Sequence, residues 1–203
     1  MDQQYLDEAI RYLREAGAAH SPGFLHETWR QEMMREVKTL ELHRASRDYL
    51  NATQCFLNAD YTPAQLPLAL RALVQAFAAT VRANTAPNRQ GNTASLAEWR
   101  PDEVVLQRYD PGLGISWHTD QSRNSWLLTA IFNLHGRARF QVERSSTRRV
   151  YGGSWSLGPG DLVLLRGKGF QGVNLYGLPR HMVDECTDDR LSLILRMCRP
   201  AAQ

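Results

Sequence analysis

The sequence is poor in cysteine. Its 203 residues include only Cys55, Cys186 and Cys198, widely spaced and with no Cys-x-x-Cys pair. That spacing excludes a disulfide framework and a cysteine-built zinc site, and a reducing, cytoplasmic location is expected. A strong charge imbalance is also lacking. Lys and Arg number 24 against 21 Asp and Glu, a formal net charge of +3, too little by itself to specify nucleic acid. No apolar run approaches the roughly 20 residues of a membrane span. The opening Met1-Asp2-Gln3-Gln4 leads into a charged segment rather than the apolar stretch of a signal peptide, so neither a membrane nor a leader is expected. There is no internal repeat and no low-complexity tract. The balance of 43% hydrophobic and 22% charged residues suits a single globular domain over residues 1–203. Several arginines fall in the second half, among them Arg123, Arg137, Arg139, Arg144, Arg148 and Arg149. A solvated rim accounts for them, although the planar fork of Arg also suits carboxylate or phosphate.

The chain changes character near residue 100. In residues 1–100 the pattern is helical. Leu6, Ala9, Ile10, Leu13 and Ala16 recur at spacings of three and four, one face of a helix, which Gly17 can cap. A charged helical stretch is expected over about 26–52, with Trp29, Met33, Val37, Leu40 and Leu50 as core positions. A third helix carries Leu66, Leu70, Leu73, Val74, Phe77 and Val81 to about residue 84. Thr62-Pro63 offers a start for it, but Pro67 moves the regular part to about residue 67. Residues 84–95 read as a loop. From Glu103 onward the pattern is β. Strands are expected at 104–109, 127–134, 139–143, 150–157, 162–165 and 190–197. They are separated by turns at Asp110-Pro111-Gly112, Gly136 and Gly158-Pro159-Gly160-Asp161. Short strands split by Gly/Pro turns point to an antiparallel sandwich or barrel over 101–203, with the helices packed on one face. The expected fold class is α+β.

Chemistry enters at His118-Thr119-Asp120. On an extended segment residues two apart point to the same side, so His118 and Asp120 can reach one ion together. His181, in Pro179-Arg180-His181-Met182, is the candidate third ligand. Two His and one carboxylate on one face of an ion leave the opposite positions open, the facial triad of non-haem Fe(II) oxygenases. His-x-Asp alone occurs often by chance on surfaces. His20, His26, His43 and His135 read as surface or packing residues.

The last strand strengthens the case. Period two puts Arg190, Ser192, Ile194 and Arg196 on one face and Leu191, Leu193 and Leu195 on the other. Two inward arginines are costly unless anions pair with them. A dicarboxylate co-substrate would supply the anion. Internal salt bridges, to residues such as Asp161 or Glu143, are the alternative.

At these residues the sequence resembles the Fe(II)/2-oxoglutarate-dependent dioxygenase superfamily, whose core is a double-stranded β-helix, or jelly roll. The resemblance covers about residues 103–198 and rests on His118-Thr119-Asp120, His181 and Arg190-Leu191-Ser192. In addition, Gln107-Arg108-Tyr109-Asp110-Pro111-Gly112 is similar to the Asn-x-Tyr-x-Pro-Gly of AlkB-type dealkylases, with Gln107 in place of Asn. The AlkB-type ending Arg-x-Asn-x-Thr-x-Arg becomes Arg190-Leu191-Ser192-Leu193-Ile194-Leu195-Arg196, so both arginines match while Asn and Thr do not. The resemblance implies Fe(II) on His118, Asp120 and His181, with 2-oxoglutarate and O2 as co-substrates. It implies contacts from Tyr109, and from Gln107 if it replaces Asn, to 2-oxoglutarate. Arg190 with Ser192 would hold the far carboxylate, and Arg196 would sit near the metal end. Asp120 argues against halogenation, because related halogenases lack that carboxylate.

The implied reaction is hydroxylation of a C–H bond, with release of succinate and CO2. The expected substrate is a small molecule or peptide. An alkylated base in DNA or RNA is the alternative, favoured by the AlkB-like elements. A non-redox metal-binding jelly roll, or a zinc hydrolase on the same triad, is a third reading, against which the paired arginines speak. Trp117 reads as packing. Trp126 fits core and pocket wall equally, and Arg123 and Asn124 lie in the loop after the triad.

Overall fold

In the computed structural model, residues 3–44, 57–83, 96–120, 125–145, 150–170 and 178–198 are described. The helices are α1 (Gln3–Ala16), α2 (Glu27–Val37) and α3 (Leu68–Ala83). The strands are β1 (Ala18–Ser21), β2 (His43–Arg44), β3 (Leu57–Tyr61), β4 (Glu103–Tyr109), β5 (Ile115–His118), β6 (Leu128–Val142), β7 (Gly153–Leu157), β8 (Leu162–Arg166) and β9 (His181–Arg196). Their order in the sheet is β1-β8-β6-β9-β4-β3-β2, with β5 paired to β9 and β7 to β6, all antiparallel.

Two long strands organise the fold. The first part of β6 pairs with β8 and its last part with β7. The last part of β9 pairs with β4 and its first part with β5. Between these parts the β6–β9 register shifts repeatedly. Gly136 has φ +70°, and a Cβ there would lie 2.4 Å from the carbonyl oxygen of Thr187. Gly136 is therefore a bend inside one 15-residue strand, and not the turn between two strands that its sequence context predicts. Such bulges bend a sheet and increase its twist. Val105, Ile131, Val163 and Ile194 from one part of the sheet join Ile115, Phe140, Val142, Leu157 and Val183 from the other in one buried cluster. This is the jelly-roll interior.

The second cluster lies on the opposite face. Leu128, Ala130, Phe132, Leu191, Leu193 and Leu195 pack there against Leu6, Ile10 and Leu13 of α1 and Leu70, Leu73, Phe77 and Val81 of α3. β9 thus divides as its alternation predicts, leucines toward the helices and Ile194 toward the interior. Helix α3 begins just after Pro67, with Gln65 Oε1 accepting from the Thr62 backbone N–H at 2.8 Å.

The first hundred residues hold more strand than their sequence predicts. β1 is an edge strand and β3 lies between β4 and β2; both are short, and they are strands because β8 and β4 offer them partners. The helix expected over about 26–52 ends at Val37. Residues 45–56, including Leu50 and Cys55, lie outside the described residues. Trp29, expected in the core, is 42% exposed. Trp126 packs with the helix-side core, away from the interior cluster.

Candidate active site

β5 brings His118 opposite His181, the first residue of β9, as register partners. The strand ends at His118, so Asp120 stands in the irregular segment beyond it rather than on the strand. Even so, one ligand atom from each of His118, Asp120 and His181 lies within 4.8 Å of the others. The imidazole centroids are 4.3 Å apart, and His181 Nε2 is 4.0 Å from Asp120 Oδ1. His118 Nδ1 lies 2.8 Å from the Ser116 carbonyl and His181 Nδ1 3.3 Å from that of Pro179. A ring nitrogen that donates to a carbonyl leaves the other with its lone pair free, the orientation a metal needs. Burial, with His118 nearby, holds the His181 imidazolium pKa well below its ordinary value, so the ring is neutral. For Asp120, burial raises the carboxyl pKa, but Arg196, His181 and His118 outweigh it and the net shift is downward.

Asp120 is held from two sides. Thr129 Oγ1 donates to its Oδ2 at 3.2 Å, and Ser125 Oγ lies 2.7 Å from Thr129 Oγ1. Arg196 Nη2 approaches Oδ1 at 3.3 Å, while Arg196 Nη1 lies 3.7 Å from Glu103.

Arg190 occupies the deeper end. It is 1% exposed, and among the described residues no carboxylate lies within 4.0 Å of it. Its Nε donates to Asn133 Oδ1 at 2.9 Å, and its guanidinium stands 5.1 Å from the Tyr109 ring centroid. Tyr109 donates to Gln107 Oε1 at 2.9 Å. Burial drives the Tyr109 pKa upward, so the phenol stays protonated. Ser192 Oγ is fully buried and has no hydrogen-bond partner among the described residues. The two acids expected as internal partners are engaged elsewhere. Asp161 accepts from His20 and from the backbone N–H groups of Gly23 and Gly158, and Glu143 faces Arg180. An orphaned hydroxyl beside an uncompensated buried guanidinium fits a carboxylate ligand.

Three supporting residues escaped the sequence reading: Ser125, Thr129 and Asn133. Asn133 Nδ2 donates to the carbonyls of Gly136 and Gly158, which fixes its oxygen toward Arg190. The signal for two of them was present. Thr129 and Asn133 are the polar residues of the otherwise apolar stretch 127–134 and sit four apart, hence on one face. Arg123 and Asn124 lie outside the described residues. Trp117 lies under the Arg180 guanidinium, 5.8 Å from its ring centroid.

The family model for the 2OG-Fe(II) oxygenase superfamily matches residues 1–196. The chain belongs to this superfamily. This oxygenase also resembles solved structures across nearly its whole length. A prolyl-4-hydroxylase from Pseudomonas putida is 17% identical, with a TM-score of 0.68, covering 96% of this chain and 99% of that one. A prolyl hydroxylase from Trichoplax adhaerens, in complex with a hypoxia inducible factor oxygen degradation domain peptide fragment, is 13% identical, with a TM-score of 0.68 and coverage of 97% and 90%. OsALKBH1 is 15% identical, with a TM-score of 0.55 and coverage of 90% and 97%. At these identities the likenesses concern the fold. No curated protein sequence matches significantly. As an oxygenase of this superfamily, the protein uses Fe(II), 2-oxoglutarate and O2, and its His-Asp-His cluster can bind the metal.

Proposed function

We propose that the protein hydroxylates a C–H bond of a peptide or small molecule, with Fe(II) on His118, Asp120 and His181 and 2-oxoglutarate anchored by Arg190. The observation that carries this reading is the pairing of a three-residue ligand cluster with a buried guanidinium that lacks a carboxylate partner among the described residues. A non-redox jelly roll or a zinc hydrolase has no need of the second.

When bound, the iron with 2-oxoglutarate and O2 supplies the oxidation that couples decarboxylation of the co-substrate to C–H hydroxylation. Arg190 would hold the far carboxylate of 2-oxoglutarate through a charge-assisted contact, and Ser192 Oγ, buried without a partner among the described residues, would donate to the same group. Asn133 keeps the guanidinium plane fixed. Tyr109, itself aligned by Gln107, offers a phenol that stays protonated. Ile131, Val105 and Ile194 belong to the apolar interior cluster, which would help keep water from the reacting centre. Thr129 and Arg196 hold Asp120 in one orientation toward the metal.

The test is conversion of 2-oxoglutarate to succinate by the iron-loaded protein across a panel of peptides, free amino acids, small amines and methylated oligonucleotides. Coupled turnover with a peptide or small molecule, and formation of its hydroxylated product, is the expected result. Faster demethylation of an oligonucleotide would reassign the substrate. Absence of any 2-oxoglutarate turnover would refute the oxidative reading for this chain.

A further inference from the structure

Helix α1 carries two stripes. Leu6, Ile10 and Leu13 enter the core. Tyr5, Glu8, Tyr12 and Glu15, spaced three, four and three, share a second face. Tyr5 and Tyr12 are 57% and 50% exposed. A single exposed tyrosine needs no explanation, but these two border a cleft of about 540 Å³ that also has His20 and Trp155 in its lining. The cleft runs along α1, and the stripe from residue 5 to 15 spans about 15 Å at 1.5 Å per residue.

Its floor is a sheet edge. β1 is the terminal strand of the sheet, paired only with β8 among the described residues. The backbone N–H of Arg166 donates to the carbonyl of Gly17. Antiparallel pairs alternate, so Ala19 and Leu164 form the next hydrogen-bonded pair and His20 turns its backbone N–H and C=O outward. Ala18, Ala19 and Ser21 of this strand are buried, so it is His20 that β1 presents to the cleft. The charge of the cleft is net acidic. Arg11 is drawn to Glu8 at 3.6 Å, while Glu15 has no cationic partner among the described residues. Aromatic faces beside a carboxylate favour a cation.

A line of packed rings joins the cleft to the metal site through the protein interior. His20 lies 5.6 Å from Trp155, Trp155 stacks at 6.1 Å on Phe140, and Phe140 stacks at 5.4 Å on His181, ring centroid to ring centroid. An extended peptide of about five or six residues spans the stripe along α1 at about 3.3 Å per residue.

We propose that this cleft docks an extended peptide bearing a basic side chain, whose cation sits among Tyr5, Tyr12, Trp155 and Glu15 while its backbone runs along α1. The proposal rests on the reading of the protein as a peptide hydroxylase, and it names the peptide class. The length of the cleft favours a peptide over a lone amine.

The experiment is NMR titration of the full-length protein with a glycine–alanine hexapeptide carrying one arginine. The same hexapeptide with citrulline in place of arginine, and argininamide, serve as comparisons. The arginine peptide is expected to shift the Trp155 indole N–H and the α1 and β1 amides in a saturable way. Affinity should fall at least about fivefold in Tyr5→Ala/Tyr12→Ala and in Glu15→Lys, all exposed changes compatible with the fold. Because binding is read without turnover, the Asp120→Ala variant separates the two ideas. Peptide binding retained there leaves docking intact whatever becomes of the iron assignment. Equal binding of the citrulline peptide overturns the cation, and equal binding of argininamide overturns the peptide. No saturable shift, or shifts confined to other surfaces, overturns the site. A concentration-dependent dimer that the Tyr5→Ala/Tyr12→Ala variant abolishes would give the cleft to a second copy and overturn the proposal too.

Discussion

Arg196 Nη2 lies 3.3 Å from Asp120 Oδ1, so the carboxylate of the ligand cluster is itself held by a partly buried cation. Arg196 is anchored in turn near Glu103, whose own pKa is raised by burial. A group that orients a metal ligand affects affinity without touching the metal, typically by about 10- to 100-fold. Arg196→Lys should therefore weaken Fe(II) binding by about that factor, because Lys cannot keep both contacts with one planar fork. Asp120→Ala should abolish stoichiometric binding. Anaerobic titration checks both, and an Asp120→Ala variant of unchanged affinity would remove Asp120 from the ligand set.

Arg190 predicts a different phenotype. It has no carboxylate partner among the described residues and is fixed by Asn133. Replacing one charge-assisted contact costs on the order of 1.5–3 kcal/mol, or roughly tenfold to a hundredfold in affinity. Arg190→Lys should raise the apparent KM for 2-oxoglutarate by that factor and leave Fe(II) binding nearly intact. If Arg196→Lys raises this KM and Arg190→Lys does not, the roles of the two arginines are exchanged.

These two residues show how far the sequence could be read. Alternation along 190–196 assigned the faces of β9 correctly, because burial on both sides of a strand punishes a one-residue slip. The leucines meet the helices, and Arg190 and Ser192 are buried on the opposite face. The pairing of His118 with His181 was legible only as a candidate ligand set, since it depends on β5 meeting β9 across more than 60 positions of chain. Thr129 and Asn133 stand out in the sequence as polar residues on one face of an apolar stretch, but what they complete, Asp120 and Arg190, is a relation between side chains that no spacing encodes. β1 and β3 were missed for a similar reason: their partners, not their own residues, make them strands. Trp29 was misassigned because helical spacing gives the stripe but not how far along it the core extends.

Asp161 predicts an acid-sensitive structure away from the metal. Burial raises its carboxyl pKa, but His20 and the backbone N–H groups of Gly158 and Gly23 outweigh that, and the folded value lies below the ordinary 3.8. A depressed carboxyl pKa contributes stability that is fully present above the unfolded value. It is lost as pH falls through the folded value. Stability should therefore decline from about pH 4 downward, and Asp161→Asn should flatten that part of the curve while lowering Tm at pH 7. A variant with the same pH dependence as the parent would show that Asp161 does not carry the effect.

Phe77 tests whether residues 1–203 behave as one domain. It is fully buried on α3 and meets Phe132 of β6 edge-on at 5.0 Å, Trp99 at 5.7 Å and Phe24 at 5.9 Å. Phe132 belongs to the strand that carries Thr129 and Asn133 on its other face. Removing the ring should cost about 3–5 kcal/mol, the range for a buried Phe→Ala change that leaves a cavity. If the helical layer and the jelly roll form one cooperative unit, urea unfolding should remain a single transition with a lower midpoint. Intrinsic fluorescence and far-ultraviolet dichroism should then move together. In a separate helical unit, Phe77→Ala would instead split the transition and leave the sheet at its parental midpoint. Fe(II) binding gives an independent reading. In one cooperative unit it should persist at low urea and disappear with the single transition, because the helix-side core supports the strand that positions Asp120.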